Sequence, residues 1–437
     1  MMLLGNINAI PFRRFRGGGG VAPIPPFPSI PGITARYSAL GLTNEQMAEN
    51  PVWKDLTGNG HDLQMKNFAW KEGSGISDVY LGALVFDGVD DYGTCDNFPI
   101  LTKEKGYTVV ALRQWITYNP NAISAIATNA SDQSFNGAFT FENYNKGAEQ
   151  TISYGATQIS LQYSKSPFSW QTTSKYNGVN IANGNKDATN SLVLGRSYPQ
   201  RNEFANFAIW ELVFLDHDAT EEELTKIKDY FVKTYPWLFP DQAWTVVGKT
   251  NEDEDRATIA NITGNGNDLI LSNFGFAEGS GYNEQGQYAG YLVTDGVDDK
   301  ITSSIFKMGK DFTIVGDWKF IDNKKSGTGL VKASSFYIYN TMTGLDLYIN
   351  SGSVTNRLDG IKSINAACSD GRAYDRNWNE ILANTGNVVG SGGILEVSSS
   401  GGRFGRIAFK NLAIYPRILS KDDCIKAYNY LQTLKAK

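Results

Sequence analysis

The chain is poor in the residues that most often carry chemistry. It has two histidines and three cysteines in 437 residues. His61 and His217 lie in different parts of the first half, which argues against a histidine-based triad or metal centre. Cys95, Cys368 and Cys424 show no CxxC spacing and no even-numbered framework, so they read as buried thiols; a Cys368–Cys424 bridge stays open. No run of 18 apolar residues occurs, so no helical membrane span and no membrane partner is expected. Lysine and arginine total 40 against 45 acids, a net charge of −5 that offers no long-range attraction to nucleic acid. Four consecutive glycines, Gly17–Gly20, are followed by prolines rather than by Lys-Ser/Thr and a helix, which excludes a phosphate loop. The opening MMLLGNINAIPFRRF has its arginines after its apolar stretch, the wrong order for a secretion signal.

Turn formers and aromatics are abundant: 45 Gly, 22 Tyr and 23 Phe. That balance predicts many short strands joined by tight turns, and the length predicts two or three compact units. An internal duplication organises them. TGNGHDL at 57–63 returns as TGNGNDL at 263–269, each followed by an Asn-Phe pair (Asn67-Phe68, Asn273-Phe274) and by EGSG at 72–75 and 278–281. DGVDD at 87–91 recurs at 295–299, and the stretch 204–215 aligns without gaps on 404–415. Each copy closes on a helix signal, Thr220 with Glu223 and Ser420 with Asp423. Leu224, Ile227 and Phe231 form one apolar stripe, and Ile425, Tyr428 and Leu431 the other, so one helix is expected to cap each sandwich. Pro236 and Pro240 end the first helix and place the seam near residue 240.

The division is therefore an extended arm over residues 1–34, a first module over 35–240 and a second over 241–437. The arm has a glycine hinge and a proline spacer, a composition that cannot build a core. Its first part carries the candidate partner-binding residues Leu3, Leu4, Ile7, Ile10, Phe12, Arg13, Arg14, Phe15 and Arg16, suited to adding a strand to a host sheet edge while side chains fill pockets. The acidic run 252–255 reads as a solvated loop.

The order Trp53-x-Asp55-x-Thr57-Gly58-Asn59-Gly60, then Phe86-Asp87-Gly88-Val89-Asp90-Asp91-Tyr92, then a closing strand and helix such as Ile414-Tyr415-x-Arg417-x-Leu419-Ser420, resembles the concanavalin A-like lectin/glucanase (laminin-G-like) superfamily. The resemblance covers about nine-tenths of the chain and implies an all-β fold of two tandem jelly-roll sandwiches, each ending in a short helix. Asn261 stands where the second copy would have the motif aspartate, so a role tied to Asp55 is not expected in both modules. Some members bind calcium, which makes Asp87, Asp90, Asp91, Asp295, Asp298 and Asp299 the metal candidates; strand alternation would turn Asp90 away from Asp87 and Asp91. Otherwise the turn residues suffice to explain these motifs, and no cofactor is expected.

Glucanases of the superfamily carry an alternating Glu-x-Asp-x-Glu strand, and no such strand occurs here, so catalysis is not expected. The arm-plus-modules layout is similar to structural proteins of crAss-like phages of gut Bacteroides. It implies a capsid-attached head fibre or decoration protein, held to capsid or other virion proteins by its arm and assembled into virions in the host cytoplasm. Edge-to-edge pairing would make it a homodimer, with a trimer as the alternative. A second reading is a glycan-binding adhesin presenting Tyr144, Trp170 or Trp378 to sugars; a third is a glucanase-like hydrolase.

Overall fold

The computed structural model describes residues 25–101, 106–117, 124–130, 139–144, 157–163, 171–173, 178–180, 188–196, 202–321, 329–333, 336–340, 344–349, 356–359, 364–382, 391–400 and 403–436. Two β-sandwiches follow one another along the chain. One sheet of the first runs in the order Thr157–Tyr163, Thr108–Thr117, Asn206–Leu215, Ala83–Asp87, Gly75–Ser77, and Ile33–Ser38 pairs with the far half of Asn206–Leu215. Its facing sheet runs Val52–Trp53, Leu63–Lys66, Tyr92–Cys95, Ala188–Leu194, Ser124–Ala130, Thr140–Tyr144.

The second sandwich repeats this plan. One sheet runs Gly281–Asn283, Tyr291–Val293, Ile407–Tyr415, Thr313–Phe320, Ile364–Cys368, Arg372–Asp375, Glu380–Leu382, with Gln242–Thr245 on the far half of Ile407–Tyr415. The facing sheet runs from Thr258–Ile259 through Leu269–Ser272, Lys300–Met308 and Ser391–Val397 to Asn356–Asp359. Registers correspond as well: Val110 faces Val213 in the first sandwich, and Val315 faces Ala413 in the second. The all-β sandwich expected from the turn and strand pattern is the fold observed. Among the described residues no helix is long and apolar enough to cross a membrane.

Each sandwich has its own interior, built on Trp53, Phe86, Trp115 and Phe207 in the first and on Trp244, Phe312, Trp318 and Phe409 in the second. A third core joins the outer faces of the two sandwiches. Ala83, Leu112, Ala208 and Trp210 of the first meet Val315, Cys368, Ala413 and Tyr415 of the second in one continuous buried cluster. The helices Glu221–Thr234 and Lys421–Thr433 sit at this junction, contributing Ile227, Tyr230 and Phe231, and Cys424, Ala427, Tyr430 and Leu431. Polar bonds cross it too: Tyr415 OH donates to the Trp237 carbonyl at 2.8 Å, Arg417 Nη1 to the Val232 carbonyl at 3.2 Å, and the Thr157 N–H to Tyr430 OH at 3.3 Å.

The expectation of one helix per sandwich is thus corrected in its packing. Both helices start as predicted, with Thr220 and Glu223 forming a reciprocal capping box and Ser420 accepting from the Asp423 N–H. The second buries Cys424, Ala427 and Tyr430 while Ile425 and Tyr428 stay half-exposed, because it is packed from two sides and not one. Double-sided burial also explains why all but the first residue of Asn206–Leu215 are buried.

The described end of the expected arm lies on the first sandwich. Residues 33 and 34 open its first strand, Ile30 is buried, and the Phe27 ring meets Tyr230 edge-on at 4.8 Å. Leu3, Leu4, Ile7, Ile10, Phe12, Arg13, Arg14, Phe15 and Arg16 lie outside the described residues.

Candidate functional site

The repeated TGNG turns are structural in both copies. Gly58 and Gly60 have φ of +83° and +82°, Gly264 and Gly266 +80° and +74°, all in the region where only glycine is unstrained. Asp55 Oδ1 accepts the N–H groups of Arg36 at 3.1 Å and Thr57 at 3.0 Å, tying the first strand to the turn. Asn261 Oδ1 accepts those of Ala243 at 3.3 Å and Thr263 at 3.0 Å in the same way. The expectation that the Asp55 role is confined to one module is therefore corrected: the position needs an acceptor oxygen, which an amide supplies as well as a carboxylate does. On the first strand of each sandwich the equivalent residues Tyr37 and Trp244 also make the same bond, to the carbonyls of His61 and Asn267.

The DGVDD motifs form compact acid triads. The carboxylate oxygens of Asp87, Asp90 and Asp91 lie within 4.8 Å of one another, as do those of Asp295, Asp298 and Asp299. Strand alternation fails here because residues 88–91 are a turn, so Asp90 swings back beside its neighbours. Backbone groups already use these acids. Asp87 Oδ1 accepts from the N–H of Val89 at 2.7 Å and Asp90 at 3.2 Å, while Asp91 takes the Asp87 N–H at 3.0 Å and the Ser74 hydroxyl at 3.0 Å. The second copy reproduces the pattern through Asp295, Asp299 and Ser280. Burial pushes Asp91 up to about 7 and Asp299 up to about 6, with the neighbouring acids adding to the shift. These six oxygen donors are the residues that could hold a hard cation, and the turns they stabilise account for them without one.

A cleft of about 330 Å³ opens on the first sandwich beneath the proline strap, lined by Phe27, Arg36, Ser38, Trp53, Lys54 and Tyr230 among others. Its floor is an ion pair that the sequence reading missed. Glu211 is fully buried; its oxygens accept from Arg36 Nη2 at 3.1 Å, Ser38 Oγ at 2.8 Å and Tyr235 OH at 2.8 Å. Burial raises the Glu211 carboxyl above the ordinary glutamate value even though Arg36 opposes the shift. The Arg36 guanidinium lies 4.2 Å from the Phe27 ring centroid and donates to Tyr230 OH at 2.8 Å. The carboxylate under the cleft is thus fully engaged, and what the cleft offers a ligand is aromatic surface and the Lys54 ammonium, itself 2.6 Å from Asp62. The signal was present in the sequence as one acid in the apolar strand FAIWELVFL.

Of the aromatics expected to present themselves to sugars, Trp378 is half-buried beside Tyr374 and Tyr428, with ring centroids 6.3 and 5.6 Å away. Trp170 and the Tyr144 side chain lie outside the described residues. His61 stands edge-on to Phe98 at 5.8 Å, and His217 sits between Asp216 and Glu223 at 3.1 and 3.3 Å. All three cysteines are buried free thiols.

No family model and no curated protein matches the chain. Among solved structures it is similar to the Trypanosoma rangeli sialidase, at 9% identity and a TM-score of 0.32 over 53% of this chain and 41% of the sialidase. It thus spans about two-fifths of that enzyme's length. It is also similar to domain 4 of the extracellular arabinanase AbnA from Geobacillus stearothermophilus, in complex with arabinotriose, at 14% identity and 0.28 over 43% of this chain and all of that domain. A mutant of HCR/D matches at 8% identity and 0.33, over 89% of this chain and 98% of the other.

Proposed function

We propose that the protein is a non-enzymatic structural component of a virion, a capsid-attached fibre or decoration protein whose N-terminal segment tethers a two-sandwich body. The observation that carries this reading is the third core, which welds both sandwiches and both helices into one unit entered through the strap at residues 25–32. A protein displayed outside the cell benefits from a body with few separable parts, because local opening admits proteases. The residues before the strap are apolar and basic, then glycine-rich, as a tether for a partner's sheet edge requires. Capsid or other virion proteins are the partners under this reading, the host cytoplasm the place of assembly, and a homodimer the form in which exposed edges are protected. The test is deletion of residues 1–24 followed by assembly with the particle. The truncated chain should fold with an unchanged melting curve and fail to co-purify with particles; truncated chain retained on particles overturns the proposal.

A second reading is favoured by the cleft and by the aromatic face around Trp378, namely contact with host or mucosal glycans, either from a virion or as a free adhesin. Hydrolysis is the weakest reading, because the carboxylate beneath the cleft is bonded to Arg36, Ser38 and Tyr235 rather than paired across it with a second acid. A glycan array with the full chain tests the binding reading, and reducing-sugar release from β-glucan tests the hydrolytic one.

A further inference from the structure

We propose that the outer sheet face of the second sandwich, around Lys319, Lys410, Arg376 and Trp378, is a binding site for a carboxylate-bearing sugar. This deepens the glycan-contact reading and rests on it.

Three neighbouring strands and one turn build the site. Tyr291 comes from Tyr291–Val293, Asp317 and Lys319 from Thr313–Phe320, and Lys410 from Ile407–Tyr415, while the turn after Arg372–Asp375 brings in Arg376 and Trp378. Lys319 Nζ lies 4.4 Å and Lys410 Nζ 6.0 Å from the centroid of the Tyr291 ring. Asp317, 4% exposed, accepts from Arg376 Nη2 at 3.0 Å and Tyr291 OH at 2.8 Å. Lys410 also donates to Gln432 at 2.9 Å. Among the described residues three cations thus converge on Asp317, which is already bonded to the arginine.

Crowded like charges on a half-buried face raise the free energy of the empty site and lower it when an anion arrives. Lys319 registers the crowding: burial pulls its ammonium below the ordinary lysine value, Asp317 opposes this, and Arg376 and Lys410 add to it.

The fold does not require this cluster. The equivalent positions of the first sandwich are Ala83 for Tyr291, Leu112 for Asp317, Gln114 for Lys319 and Trp210 for Lys410, and the apolar ones among them form part of the third core.

The turn supplies the second element of recognition. Asp375 Oδ1 accepts the N–H groups of Asn377 and Asn379, both at 2.8 Å, and this turn holds Trp378 at φ +63°, a conformation that a bulky residue adopts only when its surroundings enforce it. The strain places a tryptophan edge-on to Tyr428, two residues along the turn from Arg376. A cationic cluster with a tryptophan on the adjoining turn matches a ligand with an anionic group on a ring whose C–H face is apolar.

The experiment titrates the full chain, by tryptophan fluorescence and calorimetry, with trigalacturonate and N-acetylneuraminic acid against trigalactose and inorganic sulfate at equal ionic strength. At least one acidic sugar should bind at least about ten-fold tighter than the neutral sugar and the sulfate, and Lys319→Met with Lys410→Met, which keeps the apolar stems, should weaken it about ten-fold or more. Trp378→Ala should weaken it as well. Neutral sugar binding equally well overturns the carboxylate while leaving the glycan reading intact. Sulfate competing as well as the sugar overturns the sugar. Acidic-sugar affinity unchanged in the double-lysine variant overturns the location, and no binding of any sugar overturns both readings.

Discussion

The two sandwiches repeat the hydrogen bonds of their turns and differ on the faces between the turns. Asn44 exchanges two hydrogen bonds with the Ile76 backbone and Asn251 two with that of Tyr282; Asn67 and Asn273 both sit at φ +67°, and each donates at 3.1 Å to the carbonyl of the middle acid of its triad. On the sheets the copies part. Arg36 and Glu211 of the first are Ala243 and Asn411 in the second, while Ala83 and Leu112 of the first are Tyr291 and Asp317. Duplication thus kept what fixes chain direction and released what covers a sheet. One copy placed its charge beneath a cleft and the other beside its outer rim.

The largest effect is expected from separating the copies. A chain ending at residue 240 loses the partner of its outer face and exposes Leu112, Ala208 and Trp210 together, a contiguous apolar patch of the kind that aggregates. It should be insoluble or molten, and the full chain should unfold in a single transition by both calorimetry and circular dichroism. Two resolved transitions, or a soluble and cooperative fragment, would show that the third core contributes little.

Next comes the buried pair. Arg36→Ala strands the Glu211 carboxylate in the interior and should cost ~3–5 kcal/mol by urea denaturation. The joint replacement Arg36→Met with Glu211→Leu should cost less than either single change, since it removes both charges at once. At the matching place in the second copy, Asn411 accepts the Asp317 N–H at 3.0 Å and donates to the Leu431 carbonyl at 3.2 Å, so Asn411→Ala should cost ~1–3 kcal/mol. Equal losses in the two copies would contradict the claim that this position holds a buried ion pair in the first sandwich and a neutral amide in the second.

Much of this organisation was legible in the sequence because it is local. Positive-φ turns announce themselves through Asn and Gly, and Thr220 with Glu223 announces a helix start three residues apart. The third core was less legible, for a physical reason. Its residues, Ala83, Leu112 and Trp210, alternate with those of the inner core, so they read only as strands that are apolar on both sides, with nothing to say what covers the second side. Asp90 was misplaced because the strand period was carried into a turn. The Arg36–Glu211 pair is 175 residues apart and no spacing rule links it. The cations around Tyr291 come from separate strands and a turn, which only the folded sheet brings together.

The acid triads sharpen the comparison by pH. A carboxyl held above its ordinary value when folded stabilises the protein most while it is protonated in both states, and that contribution is lost as pH rises through the folded value. For Asp91 the loss runs from about 4 to about 7, and for Asp299 it ends near 6. Relative to Asp91→Asn and to Asp299→Asn, the native chain should therefore lose thermal stability as pH rises from about 4 toward these values. Curves parallel to the variants throughout would show that the two triads are not buried as described.

The smallest expected effect lies where the closing strands turn into their helices. Thr108 Oγ1 donates to the His217 carbonyl at 2.8 Å and Thr313 Oγ1 to that of Arg417 at 2.9 Å, so His217 and Arg417 are equivalent positions. Arg417 reaches across the third core and stays charged, whereas His217 titrates. Burial pulls the His217 imidazole down, but the Asp216 and Glu223 carboxylates outweigh it and hold its pKa above the ordinary value. The imidazolium therefore adds stability below pH 6.5 that fades as pH rises through the shifted value. With the side chain 34% exposed, the contribution is that of a surface pair, ~0.2–1 kcal/mol, and salt should diminish it. His217→Asn should remove this slope near neutral pH and leave the Asp91 window below it untouched. A native chain whose stability near neutral pH matches the variant at low and high salt alike would mean that neither carboxylate holds the proton, and that the turn is fixed by Thr108 alone.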